Sequence, residues 1–114
     1  MNALSENRKA YFNYEILETF EAGIELKGYE VKALKGGRGN LTGAFATVKD
    51  GQIWLTNADI PPYQPKNTPE GYEPARSRRL LLKKSEIKYL IEKLQSERLT
   101  VVPLKLYNKG GRIK

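Results

Sequence analysis

Lysine and arginine, clustered and interleaved with aromatic side chains, are the residues of this chain with chemistry to offer. The clusters are Arg8 and Lys9; Lys27, Lys32, Lys35 and Arg38; Arg76, Arg78, Arg79, Lys83 and Lys84; and Lys105, Lys109, Arg112 and Lys114. Tyr11, Phe12, Tyr14, Tyr29 and Tyr107 stand close to them in sequence. A guanidinium or ammonium attracts phosphate, and an aromatic face stacks a base for roughly 1–3 kcal/mol. For any single pair the simpler account is a tyrosine at the edge of the core beside a solvated charge. Lys and Arg together number 20 against 13 acidic residues, giving a formal charge of +7. That excess points to a polyanion, with release of counterions on binding; the alternative is basicity that serves solubility alone.

Other chemistries are poorly equipped. The chain contains no cysteine and no histidine. Disulfides, the usual zinc sites, thiol nucleophiles and histidine acid–base catalysis are therefore excluded. Only scattered carboxylates, lysines and tyrosines remain, so an enzyme is not expected, nor is a cofactor or bound metal. Gly36-Gly37-Arg38-Gly39-Asn40 exposes amides that could meet phosphate, but no Lys-Ser or Lys-Thr follows at phosphate-loop spacing. A helix stop and turn that leave Arg38 free to meet RNA are the better reading.

The 114 residues have room for one small core. No apolar run spans a bilayer, Leu80-Leu81-Leu82 being among the longest, and Met1 to Glu6 has no secretory core. No segment has the form of a membrane-surface helix. A cytoplasmic monomer is the expectation.

The elements that must position these residues are short. Ile16 and, after an interruption at Leu17, Phe20, Ile24 and Leu26 fall at even spacings, as in a strand from Tyr14 to Leu26, with a bulge or bend at Ala22-Gly23. Val31 and Leu34 share one face of a short helix over Gly28–Lys35, with Lys32 and Lys35 on another face and Gly36-Gly37 as its stop. Phe45–Val48 and Gln52–Leu55 flank Lys49-Asp50-Gly51, a strong hairpin signal. From Pro61 to Ser77, five prolines with Asn67 and Gly71 prevent a helix and predict a long mobile loop, either functional or simply disordered. Arg78–Leu82 reads as a strand leading into a helix from about Lys84 to Glu97. Ser85 can cap that helix, and Ile87, Leu90, Ile91 and Leu94 form its core stripe. Leu99–Tyr107 returns to strand, with an edge or bulge at Pro103, and Asn108 to Lys114 forms a turn and the start of another strand.

Mainly β structure with a short helix after the first strand and a late amphipathic helix is most economically arranged as a small oligonucleotide-binding-type barrel over residues 1–114. Such a fold alone does not establish a function.

The order of several motifs adds more. Asn7-Arg8-Lys9-Ala10 followed by Tyr14, Phe20-Glu21-Ala22-Gly23-Ile24, and Gly28-Tyr29-Glu30-Val31-Lys32-Ala33-Leu34 resemble the opening of the bacterial small protein B family. Asn40-Leu41, Arg78-Arg79-Leu80-Leu81-Leu82 and Val102-Pro103-Leu104-Lys105-Leu106-Tyr107 extend the resemblance over almost the whole chain; the proline-rich loop is least alike. The resemblance implies an oligonucleotide-binding-type barrel that binds the tRNA-like domain of transfer-messenger RNA (tmRNA) and supports its aminoacylation. Without catalysis of its own, the family delivers that RNA to stalled ribosomes, where the protein fills the space of the missing anticodon arm. By resemblance Asn7, Tyr14, Glu21, Leu81 and Lys83 match positions on or supporting the RNA-contacting surface, and Arg38 and Asn40 a basic turn near it. Arg8, Lys9, Lys32, Arg78 and Arg79 join the candidate interface as the basic residues beside them.

Glu21 is the odd member, because a carboxylate repels phosphate. It can accept from base or ribose groups, orient a nearby cation, or hold the Ala22-Gly23 bend internally. Leu81 can contact a base or belong to the core. The chain departs from the family at Phe12, where histidine is usual, so stacking survives and titration is lost. Family members also continue past Lys114 into a final strand and a basic tail that enters the mRNA channel; a chain ending there is expected to bind RNA without supporting tagging. Two rivals remain: a general single-stranded or ribosomal RNA-binding barrel without a rescue role, and a carboxylate-dependent nuclease, for which no convergent acidic spacing exists.

Overall fold

The computed structural model describes residues 3–64, 66, 68–109 and 112–114. The expectations for Met1, for Pro65 and Asn67 in the loop and for the Gly110-Gly111 turn lie outside those residues. In chain order the elements are β1 (Ala3–Glu6), α1 (Arg8–Asn13), β2 (Gly23–Ile24), α2 (Gly28–Lys35), β3 (Phe45–Lys49), β4 (Gln52–Thr56), β5 (Arg78–Leu81), α3 (Lys84–Gln95), β6 (Lys105–Lys109) and β7 (Arg112–Ile113).

Local chemistry explains the most regular pieces. Asp50 and Gly51 take φ values of 55° and 70°, the two left-handed residues of a type I′ turn. They set β3 against β4 with Thr47 opposite Trp54 and Val48 opposite Ile53. Period-two alternation then turns Ile53 and Leu55 inward, where both are buried. In α2, Glu30, Ala33 and Leu34 lie at i, i+3 and i+4 and are all buried. The α3 stripe forms as its spacing requires: Leu90 is buried, and Ile87, Ile91 and Leu94 pack around it with Ile53 and Ala46. The helix begins two residues earlier than a Ser85 cap would place it. The Lys83 N–H donates to the Glu86 carboxylate at 3.0 Å, so Glu86 satisfies an otherwise orphaned end amide.

The strands form two sheets, ordered β1-β6-β7 and β2-β5-β4-β3, with antiparallel pairing throughout. They share one core, to which the first sheet sends Leu106 and Ile113 and the second Ile24 and Leu55. The result is a small fold of mixed sheet and helix, and the described ladders do not join into one closed barrel.

Three local expectations are corrected. The segment from Tyr14 to Leu26 is strand only at Gly23–Ile24. Its evenly spaced apolar residues do not share one buried face: Ile24 is buried, Ile16 and Leu26 are half-buried, and Phe20 is 44% exposed. Side chains, not a ladder, hold it: Tyr89 donates its hydroxyl to Glu18 at 2.6 Å, and the rings of Phe20 and Tyr89 lie 5.8 Å apart. The expected strand over Leu99–Tyr107 begins only at Lys105, past Pro103, which has no amide to donate to a ladder. Arg8–Asn13, finally, is a short helix that the sequence did not signal.

The loop after Ile60 is tied at its base. The Ile60 N–H donates to the Pro74 carbonyl at 3.0 Å, and the Tyr72 hydroxyl donates to the Ile60 carbonyl at 2.8 Å. Arg76 and Arg78 reach from the loop's far end to Glu30 on α2.

Candidate nucleic-acid interface

Alternation along β5 decides which of its residues can meet a ligand. Arg78 and Leu80 face one side and Arg79 and Leu81 the other. Leu81 is 45% exposed and pairs with Gly23, where a Cβ would stand 3.1 Å from the Leu81 Cβ. Glycine there lets the β2 backbone lie directly against the Leu81 side chain. Arg79, half-exposed, donates to Glu25 at 2.9 Å, and Lys83 follows at the exposed start of α3. Arg79, Leu81 and Lys83 thus form a basic and apolar strip beside the β2 edge.

Arg78 is not part of that strip. Its side chain is fully buried and every nitrogen is engaged: Nε donates to Glu30 at 2.9 Å, Nη1 to the Ala58 and Arg76 carbonyls, and Nη2 to Tyr72 and the Pro74 carbonyl. Of the candidate RNA contacts, it is therefore one that presents no side-chain surface to a ligand. Burial raises the Glu30 carboxyl, but hydrogen bonds from Arg76, the Lys27 amide and Arg78 outweigh it and hold the group down at about 2. Burial and the adjacent Glu30 charge push the Tyr72 phenol up to about 12.

Asn7 is likewise internal, being 4% exposed. Its Nδ2 donates to the Pro103 carbonyl at 3.0 Å and the Leu41 carbonyl at 3.3 Å, and its N–H to the Leu104 carbonyl at 2.7 Å. It fastens the start of α1 to Leu41 and to the Pro103–Leu104 segment. Arg8 and Lys9 are exposed, with Arg8 3.6 Å from Glu6. Tyr14, at the end of α1, is 45% exposed. Lys32 is exposed on α2. Asn40 accepts the Thr42 N–H on its Oδ1 at 2.9 Å, which shapes the turn.

Glu21 meets the opposite end of the chain. It accepts the Tyr107 hydroxyl and the Lys109 ammonium, the latter at 3.1 Å, and lies 3.7 Å from the Lys114 nitrogen. The Tyr107 and Lys109 hydrogen bonds lower its carboxyl, and the same contact raises the Tyr107 phenol. Of the roles open to Glu21 from sequence, the structure displays an internal one: it gathers a phenol and two lysines. Sequence reasoning missed Tyr107, Lys109 and Lys114 as its partners, although Tyr107 and Lys109 alternate onto one face of β6.

Among the described residues no group of acidic side chains could hold a metal ion, and no helix is long and apolar enough to cross a membrane.

Residues 4–114 match the family model described as SmpB protein. The SsrA-binding protein of Thermosynechococcus vestitus is 48% identical over all 114 residues, which span 75% of that protein. That of Ligilactobacillus salivarius is 50% identical over 113 residues, 99% of this chain and 72% of its own. A solved structure described as "tmRNA-SmpB: a journey to the center of the bacterial ribosome" contains a chain that superposes with a TM-score of 0.75 at 48% identity, over 95% of this chain and 76% of that one.

Proposed function

The chain belongs to the SmpB protein family, and from that premise we propose that it binds the tRNA-like domain of tmRNA and helps deliver it to stalled ribosomes for trans-translation. The observation that carries this reading is the family match, which runs from residue 4 to residue 114 and so takes in both described sheets and the helices α1, α2 and α3. A net charge of +7 with a basic, partly apolar exposed strip is the surface such a partner needs.

We assign RNA contact to Arg8, Lys9, Tyr14, Lys32, Arg38, Leu81 and Lys83, which are exposed, and to the half-exposed Arg79. Buried Asn7 and Arg78 support that surface from within, and exposed Asn40 and Glu21 shape it through the hydrogen bonds and ion pairs described above. The two sheets and their common core are read as the halves of a small oligonucleotide-binding-type barrel that acts as one RNA-binding unit over residues 1–114. It acts as a monomer in the cytoplasm and adds no catalysis.

Binding to the isolated tRNA-like domain, with an ordinary tRNA of matched length as competitor, tests the reading. Binding that survives excess tRNA and weakens in Lys83→Ala supports it. Equal affinity for both RNAs overturns it, leaving a general RNA-binding barrel without a rescue role.

A further inference from the structure

Arg38 differs from the other arginines of the candidate interface. Arg8, Arg78 and Arg79 each have a carboxylate partner, at Glu6, Glu30 and Glu25 respectively. Arg38 has none among the described residues, and only its Nη1 is engaged, donating to the Pro62 carbonyl at 2.9 Å. Its guanidinium carbon lies 5.9 Å from the centre of the Tyr63 ring. Tyr63 is itself seated on the end of α2: a Cβ at Gly36 would stand 3.2 Å from its Cε2. The near end of the proline-rich loop is therefore docked on the glycine turn through one aromatic ring and one carbonyl, and both of them meet Arg38.

This arrangement fixes a cation without neutralising it. A guanidinium over an aromatic face uses its π surface there and keeps its in-plane N–H groups for other acceptors. The single carbonyl bond orients the plane and leaves the remaining donors to solvent. A planar, always-charged fork held this way is suited to a phosphate oxygen pair.

We propose that Arg38, Tyr63 and the Pro62 carbonyl form a clasp that presents the Arg38 guanidinium to one phosphodiester group of bound RNA. Arg38 makes the contact, and Tyr63 is a positioning residue that acts through it. The proline-rich loop thereby takes part in RNA recognition through its first few residues. The inference rests on the RNA-binding reading of the family.

A double-mutant cycle with Arg38→Ala and Tyr63→Ala tests it, with Tyr63→Phe as the conservative variant. Each protein is titrated with the tRNA-like domain and with ordinary tRNA at several salt concentrations, after urea unfolding shows equal stability. Arg38→Ala is expected to weaken binding roughly tenfold and to flatten the slope of log K against log salt by about 0.7–0.9, the share of one phosphate. Tyr63→Ala weakens binding roughly fivefold, Tyr63→Phe restores it, and Tyr63→Ala adds nothing once Arg38 is gone. Wild-type affinity in Tyr63→Ala, or full additivity with Arg38→Ala, overturns the clasp. Because the cycle is read on both RNAs, a wild-type protein that fails to prefer the tRNA-like domain overturns the rescue function while the cycle still decides the clasp.

Discussion

The Arg78 guanidinium and the Glu30 carboxylate lie 2.7 Å apart, and both side chains are fully shielded from solvent. A buried pair stabilises only when its remaining hydrogen-bonding capacity is met. Here Tyr72, Arg76, the Lys27 amide and three carbonyls complete it. The pair ties α2 to β5 and to the far end of the proline-rich loop. Removing one member leaves the other buried and uncompensated, so Glu30→Ala is expected to destabilise the fold by about 3–5 kcal/mol. Urea unfolding followed by circular dichroism measures this. Glu30→Ala combined with Arg78→Leu should cost clearly less than the sum of the single changes, since the fully buried guanidinium leaves with its partner and only the part-exposed Arg76 loses a contact.

The same carboxyl gives the fold a pH signature. Its pKa is lowered from 4.5 to about 2 in the folded chain. A group whose folded pKa is depressed contributes stability that is fully present above its unfolded value and is lost as pH falls through the folded one. Stability should therefore decline between about pH 5 and pH 2, and the decline should be shallower in Glu30→Gln, which cannot titrate. Urea midpoints collected across that window for both proteins decide it. Coincident slopes would mean that Glu30 does not titrate there.

Gly51 offers a cleaner backbone test. Its φ is 70°, and nothing lies within 4 Å of an added Cβ, so a substitution meets no steric neighbour and reports the left-handed backbone alone. Gly51→Ala is expected to cost about 1–2 kcal/mol. Gly51→Asn should cost less, because asparagine tolerates that conformation. Equal losses in the two variants would show that the turn adjusts its geometry when substituted.

Features set by neighbours in sequence were legible, and those set by distant charges were not. The Asp50-Gly51 hairpin, the Gly28–Lys35 helix and the Ile87–Leu94 stripe follow from turn chemistry and apolar spacing within one element. Arg78 and Glu30 stand 48 residues apart, and each alone reads as a solvated charge. One signal was available: Glu30 shares the i, i+3, i+4 face of Ala33 and Leu34, so the helix that buries Leu34 must bury Glu30 as well. A carboxylate so placed requires a cation. Even spacing misled in the opposite direction between Tyr14 and Leu26, where Phe20 is exposed and side-chain anchors replace a ladder before Gly23. The Arg38–Tyr63 contact joins a turn to a proline-rich loop, and no periodicity reports such a contact.

The neighbouring arginines of β5 provide the sharpest separation of scaffold from interface. Arg78 faces inward with all of its nitrogens satisfied by protein, whereas Arg79 faces outward beside Leu81 and holds only the exposed Glu25. An exposed ion pair contributes little, about 0–1 kcal/mol. Arg79→Ala should therefore unfold at nearly the wild-type urea concentration while losing affinity for the tRNA-like domain. Its salt slope should also flatten, as the loss of one phosphate contact requires. Arg78→Ala should do the reverse: a large loss of stability, and wild-type affinity for the fraction that remains folded at low temperature. Equal loss of affinity in the two folded variants would show that the β5 surface is read through its overall shape, and Arg79 would then no longer stand as a direct contact.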